Sequence, residues 1–259
     1  MNGDMNGWEA IGILFYNVDN FRMTGFRVEE AHNWSISMEN GCANGYLGNI
    51  DFLNTGRHFK KELGFCPNQD GINLRKGCHN ITIENITGVC TDEVVALTGL
   101  RSKRTRPPRK PGARPNMIGG SQPGPDDDIY NVTIRNVKAW NAWGYGIVGV
   151  RAADGIKCYN ITIRDIIDVS GPDTKRINAL LKIGTNRYFN ERPSLLGEIF
   201  NLHVDNLVSR GQMVIRLEAP LQDSVIQNVR GYGDCTTMLQ KISPEIACRN
   251  VMFDGRPLS

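Results

Sequence analysis

The sequence lacks paired cysteines at metal-ligand spacing and lacks long hydrophobic runs. Its seven cysteines are an odd number without a C-x-x-C pair, which argues against a zinc ribbon and against a complete disulfide framework. We therefore expect buried free thiols, with a local bridge between Cys66 and Cys90 as the alternative. No apolar run approaches the ~18 residues that a membrane helix needs, so we expect no membrane partner.

Several functional signatures are also absent. The sequence has no phosphate-cradling glycine loop, no cluster of metal ligands and no Ser-His-Asp order, so we expect no metal and no cofactor. Aromatic residues make up only 8% of the chain and do not interleave with basic residues, which argues against nucleic acid as a partner. The first residues do not form a signal peptide, although a leader could have been removed from a longer precursor.

No segment has a convincing helical period, whereas a strand-like phrase recurs along the chain. In this phrase an Asn-like residue precedes alternating apolar and polar residues rich in Ile, Val and Thr, which is typical of strands. Further strand candidates lie between the copies, for example "ALLKIGT" from Ala179. The copies begin at Asn20, Asn44, Asn80, Asn131, Asn160, Asn201, Asp223 and Asn250.

Two or three short strands per copy, repeated about eight times, predict an all-β fold. We expect a right-handed parallel β-helix, a solenoid of about eight coils that forms a single domain over residues 1–259. The recurring Asn is then a turn residue whose amide bonds to neighbouring coils. A sandwich or bladed fold fits less well, because Asn-Gly hairpin turns are scarce between the copies.

Two features of this solenoid have a second interpretation. Glycosylation is an alternative role for the asparagines in N-x-T sequons, although the repeat explains them without a glycan. The segment "IGILFYNV", residues 11–18, already has a strand pattern, so the solenoid lacks an N-terminal cap over its first coil. We expect either a missing N-terminal segment or another chain of a homo-oligomer to cover that end. The sequons begin at Asn80, Asn85, Asn131 and Asn160.

Two acidic motifs lie one repeat apart in the centre of the chain. "NQDGINL" places Asp70 before one strand, and "TDEVVALTG" places Asp92 and Glu93 before the equivalent strand of the next coil. Stacking at ~4.8 Å per coil would bring the three carboxyl groups onto one outer face. Crowded like charges raise at least one pKa, which places an acid beside a base. An inverting glycosidase uses such a pair, ~6.5–9.5 Å apart.

These motifs resemble those of glycoside hydrolase family 28, the polygalacturonases. "NQDG" is similar to the family's N-T-D-G motif and "TDEVVALTG" to its G-D-D-x-I-A-I motif, and the match covers roughly Ile11 to Thr185. The resemblance implies a secreted or periplasmic hydrolase of a uronic-acid-containing polysaccharide. It implies that Asp92 is the general acid, while Asp70 and Glu93 hold the water. Asn68 would orient Asp70.

The chain departs from the family's pattern at several positions. Glu93 stands where the family has Asp, and Tyr145 in "GYG" stands in place of a histidine. In "LKIGT", Lys182 takes the place of an arginine and Gly184 that of a lysine. A tyrosine supplies no imidazolium, and a lysine cannot grip a carboxylate with a planar fork. We keep Tyr145 and Lys182 as substrate-binding candidates and expect altered specificity.

Two basic segments lie beside the acidic motifs. An insertion at about residues 101–128 carries seven cations and no acid between Arg101 and Pro115, and its Pro and Gly content predicts a flexible loop. Because it follows the strand after Glu93, it could capture an anionic polysaccharide; a solubilising loop is the alternative. An earlier loop contains Arg57, His58 and Lys60, which could form a substrate-binding wall on the same rim.

The sequence therefore favours a carbohydrate-active enzyme that acts on an acidic polysaccharide through paired carboxylates. Two alternatives stay open. One is a non-catalytic β-helix, either a glycan-binding protein or a module like a phage tail spike. The other is a polysaccharide lyase or epimerase on the same scaffold.

Overall fold

A computed structural model of the chain describes residues 11–57, 68–100, 122–185, 190 and 192–258. These residues form seventeen strands and contain no helix. In chain order the strands are β1 (Ile13–Tyr16), β2 (Asp19–Glu29), β3 (Ile36–Glu39), β4 (Ala43–Leu53), β5 (Ile72–Arg75), β6 (His79–Cys90), β7 (Val95–Gly99), β8 (Ile129–Asn141), β9 (Gly146–Ala152), β10 (Cys158–Asp168), β11 (Ala179–Ile183), β12 (Ile199–Ser209), β13 (Met213–Leu217), β14 (Leu221–Gly231), β15 (Leu239–Lys241), β16 (Cys248–Phe253) and β17 (Arg256–Pro257).

The strands alternate between two sheets as the chain winds. The first sheet contains the eight odd-numbered strands from β1 to β15, and the second sheet contains the even-numbered strands and β17. Each strand from β1 to β14 pairs in parallel with the strand two places further along the chain, and only the short β16–β17 pair is antiparallel. The fold is thus a right-handed parallel β-helix of eight coils, as the repeat predicts.

Aliphatic side chains fill the interior and repeat in register from coil to coil. Ile81, Val132 and Ile161 are paired neighbours on β6, β8 and β10, and all three are buried. On the first sheet Val95 and Val148 stack in the same way. The register stacks the core in equivalent layers. Burial of each such side chain stabilises the folded state by about 1.5–3 kcal/mol.

Two ladders of asparagine run along the second sheet. The recurring Asn, or Asp223 in one repeat, has left-handed backbone geometry, as at Asn80 with φ 54°, and in six of the eight repeats an Asn or Asp five residues later does the same, as at Asn85 with φ 56°. Asn enters this region more readily than most residues with a side chain. Nδ2 of Asn80 donates to Oδ1 of Asn44 at 3.1 Å, and Nδ2 of Asn85 donates to Oδ1 of Asn49 at 3.0 Å.

The ladders confirm the turn-stacking role predicted for the repeated Asn and explain the sequons. In each sequon the side-chain nitrogen donates to an asparagine of the preceding coil. The ladder thus gives each of these asparagines a structural role that needs no glycan. The four residues are Asn80, Asn85, Asn131 and Asn160.

The cysteines within the described residues are all free thiols. Five of these six are buried, as we expected, and Cys90 is one of them. The alternative of a bridge from Cys90 is therefore wrong, and Cys66 lies outside the described residues. In the part of the chain that the structure describes, no helix has the length and apolar character needed to cross a membrane.

Two predicted features fall on parts of the chain outside the described residues. Residues 1–10 precede β1, so the expectation about a cap over the first coil stays a prediction. Residues 101–121 contain all seven cations of the basic insertion, so its flexibility and its position beside the acids also stay predictions. Residues 122–128 are described and lead through a turn into β8.

Substitutions at Asn85 separate its two contributions to stability. We expect Asn85→Ala to lower the free energy of unfolding by about 2–3 kcal/mol, because it loses the amide bonds and forces alanine into left-handed geometry. Asn85→Gly loses only the bonds and should cost about 1 kcal/mol less. Urea denaturation measures both, with Thr82→Ala on the same strand as a control of small effect. Equal losses for Ala and Gly would contradict a conformational role.

Candidate active site

Three carboxyl groups meet at one end of the first sheet. Asp70 precedes β5, while Asp92 and Glu93 precede β7, the neighbouring strand of the same sheet. One oxygen from each carboxyl group lies within 4.8 Å of the other two. Coil stacking thus brings the acids together, at a spacing shorter than the ~6.5–9.5 Å expected for an inverting pair. Their catalytic roles remain proposals.

The three acids differ in how much of each reaches solvent. Asp70 and Glu93 are each only 4% exposed, whereas Asp92 is half-buried. Asp92 is therefore the carboxyl group that a large ligand can contact directly. The other two carboxyl groups are almost completely covered by the fold.

Two cations neutralise Glu93. Nη2 of Arg151 forms an ion pair with Oε1 of Glu93, and Nζ of Lys182 lies 3.5 Å from the same oxygen. The side chains are 5% exposed for Glu93, 11% for Arg151 and 13% for Lys182. A carboxylate removed from water needs such partners to remain charged, so this ion triad stabilises the ionised form of Glu93.

Two glycines on β9 leave the space that these cations occupy. A Cβ atom at Gly149 would lie 2.8 Å from Nη1 of Arg151, which shows that the guanidinium folds back across Gly149. A Cβ atom at Gly146 would lie 3.3 Å from Cε of Lys182, which reaches across from β11. A larger residue at Gly149 would therefore push the guanidinium of Arg151, whereas one at Gly146 would first meet the backbone oxygen of Ala179, at 2.9 Å.

Asparagines orient the other two acids. Nδ2 of Asn73 donates to Oδ2 of Asp70 at 3.1 Å. With its amide oriented to satisfy both neighbours, Asn68 donates to Oδ2 of Asp92 at 2.7 Å and accepts from Nε1 of Trp34 at 2.6 Å. The expectation that Asn68 orients Asp70 is therefore wrong. Asn68 lies two residues before Asp70, at the level of the turn that carries Asp92, and Asn73 takes the predicted role.

Burial and charge separate the pKa values of the three acids. Desolvation, followed by the negative charge of Glu93, raises the pKa of Asp70 to about 8. The same two causes raise the pKa of Asp92 well above its usual value. Burial alone would raise the pKa of Glu93, but Arg151, Asp92 and Lys182 together outweigh it and lower that pKa. These shifts favour the ionised form of Glu93 and the protonated forms of Asp70 and Asp92.

The predicted substrate-binding residues divide into two groups. Tyr145 is 39% exposed on the coil after Asp92, and Nζ of Lys182 lies 5.6 Å from its ring centroid, so both belong to the rim of the site. Arg57 lies between β4 and β5, and its Nε atom is 3.6 Å from Oε1 of Glu30, the residue that follows β2. His58 and Lys60 lie outside the described residues, so the predicted wall stays a prediction.

Sequence reasoning did not identify Arg151, Asn73 or Trp34 as site residues. A signal existed for Arg151, because it is the single charged residue in the strand "GIVGVRA" and shares its face with Gly149. Asn73 likewise interrupts the apolar run of β5. Trp34 gave no local signal that distinguishes it from a packing residue.

A cluster of three carboxylates is also a donor set that could hold a divalent cation. Here Arg151 and Lys182 already supply positive charge at Glu93, so the cluster is balanced by side chains. This charge balance, together with the protons held by Asp70 and Asp92, fits acid–base chemistry, and we assign no metal site.

Comparison with known proteins shows a likeness in structure alone. Neither the family models nor the curated proteins match the chain. The endo-xylogalacturonan hydrolase from Aspergillus tubingensis superposes with a TM-score of 0.50 at 14% identity, over 95% of this chain and 65% of that one. This likeness confirms the fold expected from the resemblance, and it shows the fold alone.

Two exopolygalacturonases give weaker likenesses. The hyperthermoactive enzyme from Thermotoga maritima has a TM-score of 0.48 at 15% identity, over 95% of this chain and 55% of that one. The family 28 enzyme from Yersinia enterocolitica has a TM-score of 0.34 at 12% identity, over 91% of this chain and 45% of that one. The chain thus spans less than two thirds of the length of each of these proteins.

The raised pKa of Asp70 predicts how stability depends on pH. The folded state holds a proton on Asp70 that the unfolded state has released, so the free energy of unfolding should fall as pH rises from about 5 to 8. Each extra proton contributes a slope of up to about 1.4 kcal/mol per pH unit. Denaturant unfolding at several pH values should show a flatter dependence for Asp70→Asn. An unchanged slope, or the same flattening in the control Asp51→Asn on the second sheet, would contradict the assignment.

Proposed function

We propose that this chain hydrolyses glycosidic bonds in an acidic, uronic-acid-containing polysaccharide. The observation that carries the proposal is the half-buried Asp92, whose pKa is raised by burial and by the charge of Glu93, within 4.8 Å of two buried carboxyl groups. A glycosidase requires a carboxyl group that is protonated at working pH and reaches the leaving oxygen. Asp92 meets both requirements, so we assign it as the general acid.

Asp70 is the proposed base. Asp92 gives its proton to the glycosidic oxygen as the bond from that oxygen to the anomeric carbon breaks. A water attacks the anomeric carbon, and ionised Asp70 accepts the proton that the water loses. The step leaves Asp92 ionised and Asp70 protonated, and exchange with solvent restores the starting state. Glu93 stays ionised throughout and contributes its charge to the water position.

Burial of the base favours inversion at the anomeric carbon. A retaining enzyme needs an ionised carboxylate that contacts the sugar carbon itself. Asp70 is 4% exposed, and Glu93 is equally buried and already ion-paired, so neither offers a free oxygen to a sugar ring. Water therefore bridges the gap, although the oxygens lie closer together than in most inverting enzymes.

The charge of the site supports an anionic substrate. While Asp70 and Asp92 hold protons, Arg151 and Lys182 outweigh the negative charge of Glu93, so a uronate carboxylate would enter a site with surplus positive charge. Ionisation of Asp70 for the reaction then balances the two cations. The exposed ring of Tyr145 offers a surface on which a sugar could stack. The name of the Aspergillus tubingensis hydrolase, a protein of the same fold, agrees with a galacturonan-type substrate.

A polysaccharide substrate also bears on where the protein acts. A polysaccharide is degraded to smaller pieces before a cell takes it up, so the proposal implies a secreted or periplasmic protein. No nucleic-acid or membrane partner is part of the proposal.

Loss of the general acid is the first test. We expect Asp92→Asn to reduce the release of reducing ends from polygalacturonan and related anionic glycans by about 10²–10⁴-fold, because the leaving oxygen then receives no proton. A reducing-sugar assay measures the release, and circular dichroism checks the fold. The control Asp51→Asn alters a carboxylate on the second sheet and should retain full activity.

Other outcomes of that assay identify the alternative functions. Binding of the glycan without release, unchanged in Asp92→Asn, would replace the hydrolase with a glycan-binding module. New ultraviolet absorbance from an unsaturated product would instead show elimination by a lyase. The neutralised Glu93 is the feature of the site that fits a binding module.

The pH dependence tests the base. The logarithm of kcat/KM should rise with pH up to about 8, because Asp70 must lose its proton before it accepts one from water. Glu93→Gln should move this rise to lower pH, since it removes a negative charge that holds the proton on Asp70. Initial rates from pH 5 to 10 measure both, with Glu84→Gln on the second sheet as control. A rise centred near pH 4 in the parent would exclude Asp70 as this base.

A further inference from the structure

The ion pair between Arg151 and Glu93 lies at the acid cluster and is buried to the same degree as the Arg75–Glu39 pair, whose side chains are 12% and 3% exposed. Both partners are almost completely removed from solvent, with side chains 11% and 5% exposed. The comparable pair on the second sheet, Arg135 with Glu84, has an arginine that is 40% exposed. An arginine is expensive to bury, so its position against an acid of the site calls for a role.

The surroundings of Arg151 are fitted to this one contact. Gly149 lacks the side chain that would block the folded-back guanidinium. Glu93 has one methylene more than aspartate, which extends its carboxylate towards β9. Lys182 approaches the same Oε1 atom from β11. The absent side chain, the longer acid and the second cation all serve to hold one carboxylate oxygen in place.

A direct role in substrate binding fits Arg151 less well. Its Nη2 atom is engaged by Glu93, and its side chain is 11% exposed, so a glycan would have little of it to contact. Tyr145, which is 39% exposed, offers a glycan far more surface, whereas Lys182 is covered almost as fully as Arg151, with its side chain 13% exposed. Arg151 therefore acts on the reaction through another residue rather than on the substrate.

We propose that Arg151 is a positioning residue for the hydrolysis: it holds Oε1 of Glu93 and thereby fixes the negative charge that faces Asp70 and Asp92. This inference rests on the proposed function. It means that Glu93 serves as a fixed charge and that Asp70 alone takes the proton of the water. Glu93 also shares a hydrogen bond with the Asp92 side chain, and without Arg151 its carboxylate would be free to rotate about that contact.

Four titratable or charged groups face Glu93, and each of them influences how tightly Glu93 holds a proton. Asp92 faces it from the same turn and Asp70 from the preceding coil, while Arg151 and Lys182 face it from β9 and β11. Loss of Arg151 leaves Lys182 as the remaining cation at Oε1. Glu93 should then hold its proton more tightly, and the carboxyl group should lose its fixed orientation.

A double-mutant cycle tests the proposal. We expect Arg151→Met to lower kcat at least tenfold with KM changed less than threefold, and Arg151→Lys to recover part of the loss. In the Glu93→Gln background, Arg151→Met should change kcat less than threefold, because the residue through which it acts is already altered. Equal losses in both backgrounds, or a loss confined to KM, would overturn the proposal.

Carboxyl ¹³C NMR of glutamate-labelled protein supplies a readout that does not depend on turnover. Arg151→Met should move the Glu93 titration to higher pH, whereas the control Arg135→Met should leave it unchanged. Thermal denaturation checks that both variants fold. An unmoved Glu93 titration would overturn the inference even in an active enzyme. Absence of any glycan cleavage by the parent, with the titration moved as expected, would overturn the proposed function instead.

Discussion

The coil-to-coil register is the constraint on which the whole structure depends. Parallel pairing places equivalent residues of successive coils side by side, and the two asparagine ladders repeat that alignment with side-chain bonds. A slip of one residue would turn aliphatic side chains outward and would break both ladders at once. The same alignment brings Asp70 beside Glu93, although 23 positions of sequence separate them. The same coil-to-coil register therefore positions both the core side chains and the acids of the site.

The charges of the site follow from the stacking. Three carboxyl groups at a spacing of this kind cannot all ionise away from solvent, so protons and cations must balance them. The chain uses both means: raised pKa values favour protons on Asp70 and Asp92, and Arg151 with Lys182 neutralises Glu93. This division gives chemically similar groups different functions. The side chain of Glu93 is one methylene longer than that of aspartate, which helps its carboxylate reach Arg151 and Lys182 on the next two coils.

The sequence predicted the periodic parts of this molecule and missed the parts that depend on side-chain direction. The strands, the eight coils and the meeting of the acids all follow from a repeat that is visible in the letters. The partner of Asp70 was wrongly expected to be Asn68, because sequence proximity does not reveal which way a turn residue points. Arg151 escaped notice because its contact with Glu93 requires it to fold back over Gly149, and a strand pattern does not encode a rotamer. The second asparagine ladder was not predicted, although its residues follow those of the first ladder at a spacing of five in the sequence.

The distribution of the site over the solenoid has a consequence for its modularity. Asp70, Asp92, Arg151 and Lys182 belong to four successive coils, and each coil supplies a different chemical component. Those four coils form an indivisible unit: adding or removing one within the block would shift components by a whole layer, ~4.8 Å, and separate them. Coils outside the block contribute support without chemistry. A solenoid of this kind can thus gain or lose coils at its ends, whereas the number of coils in its central block cannot change.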